Sequence, residues 1–363
     1  MSRSGAEEKR LAIERGDFSD GVPAITVICD GGWSKRSHKP TYNALGGVGV
    51  IFGAVTKTIL YIGVRNKDCS ICCRAKNKGT DPKEHTCFKN WSDSSQSMES
   101  DIILTGFLEA ESVHGVRYTK IIADGDSSVY AKLQENVPVW GRNIVKLECA
   151  NHTCKCLRSN LEKLVTEKPQ HKGKGKLTKL NRIFENQYQF WKLPFEQEME
   201  ASRRPVKNIC TKEELKELIK DTQILLNRIA DKSDRLIGNF TTNLCESWMS
   251  IRSKFDGGKF VNRCGRGSWN ARCYGGGLRK NLGIALSPLT FHKVTQMQPG
   301  QNFYQGVRRQ SQKRQSSVKY NKKPESKTLR RKRKFQDLKV SQSKRAKIDY
   351  GSNLDDTPDI SQV

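Results

Sequence analysis

Two acids stand where a chain could gather carboxylates. Asp30 follows the apolar run Ala24-Ile-Thr-Val-Ile-Cys29, Asp124 follows Tyr118-Thr-Lys-Ile-Ile-Ala123, and a glycine follows each acid. Both runs are rich in β-branched residues and read as buried strands that end at the acid. Carboxylates brought together this way hold divalent cations, because Mg²⁺ and Mn²⁺ prefer hard oxygen ligands. Two such ions activate an attacking oxygen and steady a leaving one in phosphodiester chemistry. A third acid is then required. Either aspartate taken alone reads equally well as structural, since Asp-Gly at a strand end is common turn chemistry.

A second set of residues has metal-ligand spacing. Cys69-x2-Cys72, twelve further residues and then His85-x-Cys87 offer the four sulfur and nitrogen ligands that a tetrahedral zinc ion takes, with Cys73 as a substitute for Cys72. The stretch 74–84 between them is polar, contains Gly and Pro, and has no core of its own, so a metal would explain its order. Unrelated reduced thiols are the competing reading. Cys149-x2-His152 supplies only two ligands, with Cys154 and Cys156 nearby. A buried cysteine beside a hydrogen-bonded histidine explains that pair without metal.

These groups need elements to position them. A charged helix is expected over Glu7–Arg15, then the strand ending at Asp30. The runs 47–53 and 58–64, joined by a short connection, predict an antiparallel hairpin. Residues 98–113 carry Ile102, Ile103, Phe107 and Leu108 at helical spacing, 118–123 reads as strand, and 143–147 as a further strand. The next ~90 residues are mostly helical by period. One helix there carries Leu215, Leu218, Ile219, Leu225, Leu226 and Ile229 behind a Thr211-x-x-Glu214 capping box. The order predicts a mixed α/β sheet with helices packed against it.

At 363 residues with 65 Lys and Arg against 38 Asp and Glu, the formal charge is +27, and a polyanion is the ordinary partner of such an excess. Nucleic acid leads; an anionic membrane surface comes second. No run reaches the roughly 18 apolar residues of a membrane span, and MSRSGAEEKR has no apolar signal segment, so an intracellular protein with reduced thiols is expected. The twelve cysteines are then free thiols or metal ligands. Between Gln301 and Tyr350 stand 17 Lys or Arg and 3 Asp or Glu. This stretch has few apolar residues and reads as part of a disordered basic tail, 299–363. Within it Arg330, Arg331, Lys332, Arg333 and Lys334 form a cluster suited to nuclear import or to phosphate contacts.

In this order Cys29-Asp-Gly-Gly-Trp-Ser-Lys-Arg36, Ala123-Asp-Gly-Asp-Ser127, Cys149-Ala-Asn-His152 and Thr241-Thr-Asn-Leu-Cys-Glu-Ser247 resemble successive landmarks of Mutator-like transposases, over about residues 7–285. The resemblance implies a ribonuclease H-like fold, an Asp-Asp-Glu metal triad, a Cys-x-x-His signature and a helical insertion between the second and third acids. By position Asp30, Asp124 and Glu246 are the triad, with Asp126 competing for second place but better suited to a helix N-cap. Glu246 also fits a capping box, Asn243-x-x-Glu246, which would make it structural. Glu99, opening the helix before the fourth strand, is a further candidate metal ligand, although a first-turn Glu also simply favours the helix dipole. Cys149 and His152 are a landmark near the site.

The organisation expected from all this is a helical lead-in over 1–23 and a catalytic domain over 24–298. That domain carries a zinc-loop insert at about 66–92 and a helical insertion at about 153–240, and the basic tail follows. The expected partners are DNA, as transposon ends and target, the nuclear import machinery, and further copies of the chain, with the nucleus as location and no membrane. Two alternatives stay open. One is a domesticated or decayed transposase that binds nucleic acid or partner proteins without cutting, and the other a ribonuclease H-like nuclease with no transfer step.

Overall fold

The computed structural model describes residues 1–34, 44–124, 127–168, 212–257, 263–330 and 332–333. Within the unit Met1–Asn281, the strands are β1 (Phe18–Ser19), β2 (Val22–Trp33), β3 (Gly46–Gly53), β4 (Ile59–Asn66), β5 (Arg117–Ala123) and β6 (Val145–Glu148). They form one sheet in the order β4-β3-β2-β5-β6, with β1 paired to β2. The β2–β3 and β3–β4 pairs are antiparallel, whereas β2–β5 and β5–β6 are parallel. The mixed α/β class and the hairpin expected from the apolar runs are therefore present.

Helices cover both faces. These are α1 (Ser2–Arg15), α2 (Ser70–Lys78), α3 (Ser97–Leu108), α4 (Ala110–His114), α5 (Ser127–Asn136), α6 (Ala150–Glu167), α7 (Lys212–Ala230), α8 (Ser233–Leu236), α9 (Asn243–Phe255) and α10 (Ser268–Leu282). Alternation along β2 feeds two cores: Ile25, Val27 and Cys29 pack with Ile103, Phe107 and Leu133, whereas Ile28 packs with Val50, Phe52, Ile122, Cys245, Trp248 and Trp269. All eight residues of β3 are buried, as a strand covered on both faces requires. Close approach of α3 depends on Gly49 and Gly63, which face each other in the β3–β4 register. A Cβ on either would come within 2.6 or 2.3 Å of the Ile102 Cγ2.

Four expectations need correction or a boundary. Asp30 does not end its strand: β2 continues to Trp33, and Asp30 is paired with Val50. The helix expected over 98–113 divides into α3 and α4, and Leu108 beside the break is exposed rather than core. In the unit Leu282–Val363, α11 (Leu286–Thr295) precedes the stretch expected to be disordered, 299–363; within that stretch α12 (Gln301–Lys322) forms, and 324–330 is also helical. None of the α12 residues is buried, so this helix rests on the good propensity of its Gln, Lys and Arg residues rather than on a core. Asp126, Arg331, Lys334 and the Thr211 capping box lie outside the described residues, as does the middle of the helical insertion, 169–211. Among the described residues no helix is long and apolar enough to cross a membrane.

Candidate active site and metal centre

The parallel register sets Ile28 of β2 beside Ile122 of β5. Two residues further along the chain stand Asp30, which alternation within β2 puts on the face of the second core, and Asp124, just beyond the end of β5, and neighbouring strands lie about 4.8 Å apart. On that face α9 crosses β2, with Trp248 fully buried and the Cys245 thiol 3.8 Å from the Ile28 carbonyl. Glu246 follows Cys245 in the first turn of α9. Glu99, in the first turn of α3, lies over Gly31, where an added Cβ would come within 2.4 Å of its Cδ. Gly32 is similarly covered by the Met249 sulfur. The two glycines after Asp30 therefore admit side chains from two helices rather than making a turn.

Asp30 registers this crowding. Its carboxyl is half-buried, and burial first, then the charges of Glu99, Asp124 and Glu246, push its pKa up to about 8 against the counteracting bond from the Gly31 amide. The other acids have polar neighbours. Asp124 accepts a hydrogen bond from the Thr242 hydroxyl at 3.2 Å and lies 3.3 Å from His152 Nδ1. Glu246 lies 3.3 Å from Lys155 Nζ. The helices bearing these neighbours are stitched together at their starts: Asn151 Nδ2 donates to Asn243 Oδ1 at 2.9 Å, and the Thr242 amide donates to Cys149 Sγ at 3.4 Å.

The capping reading of Glu246 does not fit this geometry. Thr242, not Asn243, is the N-cap of α9, and no side-chain cap bond is made there. Cys149 is likewise the N-cap of α6 and is buried, whereas Cys154 and Cys156 are exposed. Two members of the site were missed in the sequence. Lys155 follows His152 by three residues on a helix, a spacing that puts both on one face. Thr242 stands inside the segment 241–247, but its hydroxyl is identifiable as a partner of Asp124 only once α9 is docked.

The Cys/His set does come together: the ligand atoms of Cys69, Cys72, His85 and Cys87 all lie within 4.8 Å of one another. His85 Nε2 is 3.3 Å from Cys69 Sγ and 3.4 Å from Cys72 Sγ, and Cys72 Sγ is 3.7 Å from Cys87 Sγ. A tetrahedron built on zinc bond lengths has edges of about 3.8 Å between sulfurs and about 3.6 Å between sulfur and nitrogen. The set therefore fits such an ion. His85 Nδ1 donates to the Lys83 carbonyl at 2.6 Å, which turns the Nε2 lone pair towards the sulfurs. Burial pushes the Cys69 thiol up, but the amides of Cys72 and Ile71 at the start of α2, with His85 and Cys72, outweigh it and bring the pKa down to about 6. Cys73 is exposed and outside the set.

This insert is fastened to the start of α10. The Ser70 amide and hydroxyl both donate to the Gly265 carbonyl at 2.9 Å, Asn66 Nδ2 donates to Asn270 Oδ1 at 2.8 Å, and the Phe88 ring fills the space over Gly267. Trp269 then packs in the second core with the Arg252 guanidinium 4.8 Å from its ring, and Arg252 pairs with Asp256 at 2.9 Å in a buried bridge within and just beyond α9. A continuous path of contacts thus joins the Cys/His set to the helix that carries Glu246.

A family model described as Mutator-like transposase matches residues 1–217. That stretch contains Asp30, Glu99, Asp124, the Cys/His set, Cys149, His152 and Lys155, whereas Glu246 lies beyond it. No curated protein and no solved structure matches the chain.

Proposed function

The chain belongs to the Mutator-like transposase family, and from that premise we propose that it cleaves DNA strands and transfers them at Asp30, Asp124 and Glu246 on a ribonuclease H-like core. The observation that carries this reading is the β2–β5 register, which sets Ile28 beside Ile122 two residues before Asp30 and Asp124, while Asp124, Glu99 and Glu246 all stand near enough to act on Asp30. The mixed sheet, an antiparallel trio followed by two parallel strands, supports the core assignment. Bound Mg²⁺ or Mn²⁺ would supply the charge that promotes attack on phosphorus and steadies the leaving oxygen. The chain's part is to hold the carboxylates: Thr242 and His152 orient Asp124, and α9, docked through Trp248, brings Glu246 to the sheet. Glu99 is a fourth carboxylate near the ions' site, and Cys69, Cys72, His85 and Cys87 would hold a zinc ion that keeps the insert folded.

Joining of strands separates a transposase from a nuclease. Purified full-length protein, given end-labelled donor DNA and a plasmid target with Mg²⁺ or Mn²⁺, is expected to yield labelled plasmid. Cut donor without labelled plasmid would reduce the function to a nuclease, and DNA binding with no cut would leave a binding protein.

The basic C-terminal stretch supports DNA contact and nuclear import as part of the same proposal. Arg308, Arg309, Lys313, Lys319, Lys322 and Arg330 are all exposed. Removing residues after about 299 is expected to weaken DNA binding and to flatten the fall of log affinity with log salt, because fewer phosphates are neutralised. Unchanged salt slope and unchanged nuclear entry in the truncated protein would place both roles elsewhere.

A further inference from the structure

Lys155 places a positive charge beside the acids of a strand-cleaving site. Helix α6 presents two side chains, three residues apart, to two different acids: His152 Nδ1 is 3.3 Å from Asp124 Oδ2, and Lys155 Nζ is 3.3 Å from Glu246 Oε1. The lysine pair contributes little to stability, because its partners are 69% and 56% exposed. The same exposure leaves the amine open to a DNA backbone. Four carboxylates against two divalent cations leave no net positive charge for a phosphodiester, whose negative charge grows as an oxygen adds to phosphorus. Among the described residues, Arg252 is buried with Asp256, and Lys280 lies against Ser247 and the Phe52 ring.

We propose that Lys155 is a catalytic residue: Glu246 holds its amine beside the acids until that carboxylate is given to metal, and the amine then contacts a non-bridging oxygen of the scissile phosphate. This rests on the strand-cleavage reading of the acids, but it assigns a role to a residue outside the triad. A lysine suits it because its flexible stem and three donors let one charge move between neighbouring oxygens.

The test uses full-length protein carrying Lys155→Met or Lys155→Arg, with Asp30→Asn as a control. Without DNA, Mn²⁺ titration followed by electron paramagnetic resonance should show several-fold tighter binding in Lys155→Met, since the amine no longer competes for Glu246. In Ca²⁺, binding of a nicked duplex of arbitrary sequence should lose about one unit of salt slope in Lys155→Met and none in Lys155→Arg. In Mg²⁺, cleavage should fall about 100-fold in Lys155→Met, with substantial recovery in Lys155→Arg. Parent-like Mn²⁺ affinity, salt slope and cleavage in Lys155→Met, with Asp30→Asn inactive, would overturn the role of Lys155 alone. Cleavage by Asp30→Asn at the parent rate would instead overturn the reading of the acids.

Discussion

Cys69→Ser is expected to lower the melting temperature by about 10 °C or more and to abolish stoichiometric zinc, whereas Cys73→Ser leaves both unchanged. The magnitude follows from two scales. Structural zinc contributes on the order of 10 kcal/mol of binding energy to small folds, and a unit of this size loses roughly 2–4 °C per kcal/mol. Losing one ligand therefore removes several kcal/mol. The effect should also reach the acids, because the insert holds α10 through Gly265, Gly267 and Asn270, and α10 holds α9 through Trp269 and Arg252. Mn²⁺ affinity at the acids should fall with zinc content. Metal analysis and thermal melts check this, and a Cys69→Ser protein that melts with the parent would remove zinc from the fold.

Asp30→Asn is expected to stabilise the protein in metal-free buffer near pH 8 while destroying the proposed chemistry. The Asp30 carboxyl is raised from 3.8 in the unfolded chain to about 8 in the fold. Below about pH 4 it is protonated in both states and costs nothing. As pH rises through the window from about 4 to 8 the unfolded chain gives up the proton first, so stability falls, and the loss is complete above about 8. Partial exposure and solvent screening keep the effect to a gain of a few degrees for Asp30→Asn at pH 8. Thermal melts in EDTA at pH 5 and pH 8 check it: parent and variant should converge at the lower pH and separate at the higher. Mg²⁺ should restore the parent at pH 8 and leave Asp30→Asn unmoved. Equal melting behaviour of the two at pH 8 in EDTA would mean that the acids do not crowd Asp30.

Much of the fold was legible because its strands are apolar, β-branched and bounded by turn residues. The hairpin of β3 and β4 and the strands leading to Asp30 and Asp124 could be read directly. The Cys/His set was legible from spacing alone, since soft ligands in a polar insert have few other uses. What the sequence hid were facts of docking. Gly31 and Gly32 look like a turn, yet they lie in strand because Glu99 and Met249 need the space above them. Asn243-x-x-Glu246 looks like a capping box, but the helix begins one residue earlier than that pattern requires, with Thr242 as its N-cap and its hydroxyl given to Asp124. Lys155 shares a helix face with His152, but its partner Glu246, 91 positions away, is not legible from that spacing. The helix over 301–322 was misread because sparse apolar residues argue against a core, whereas a helix of Gln, Lys and Arg can form without one.

Metal-dependent cleavage of plasmid DNA is the most direct measurement of the acidic site. The full-length protein is incubated with supercoiled plasmid in Mg²⁺, Mn²⁺ or EDTA, beside Asp30→Asn, Asp124→Asn and Glu246→Gln, each verified as folded by its melting curve. Nicked or linear product is expected from the parent with either metal and none in EDTA, with each variant reduced by about 1,000-fold or more. Cleavage that persists in EDTA, or that survives in any of the three variants at the parent rate, would contradict a site made of Asp30, Asp124 and Glu246.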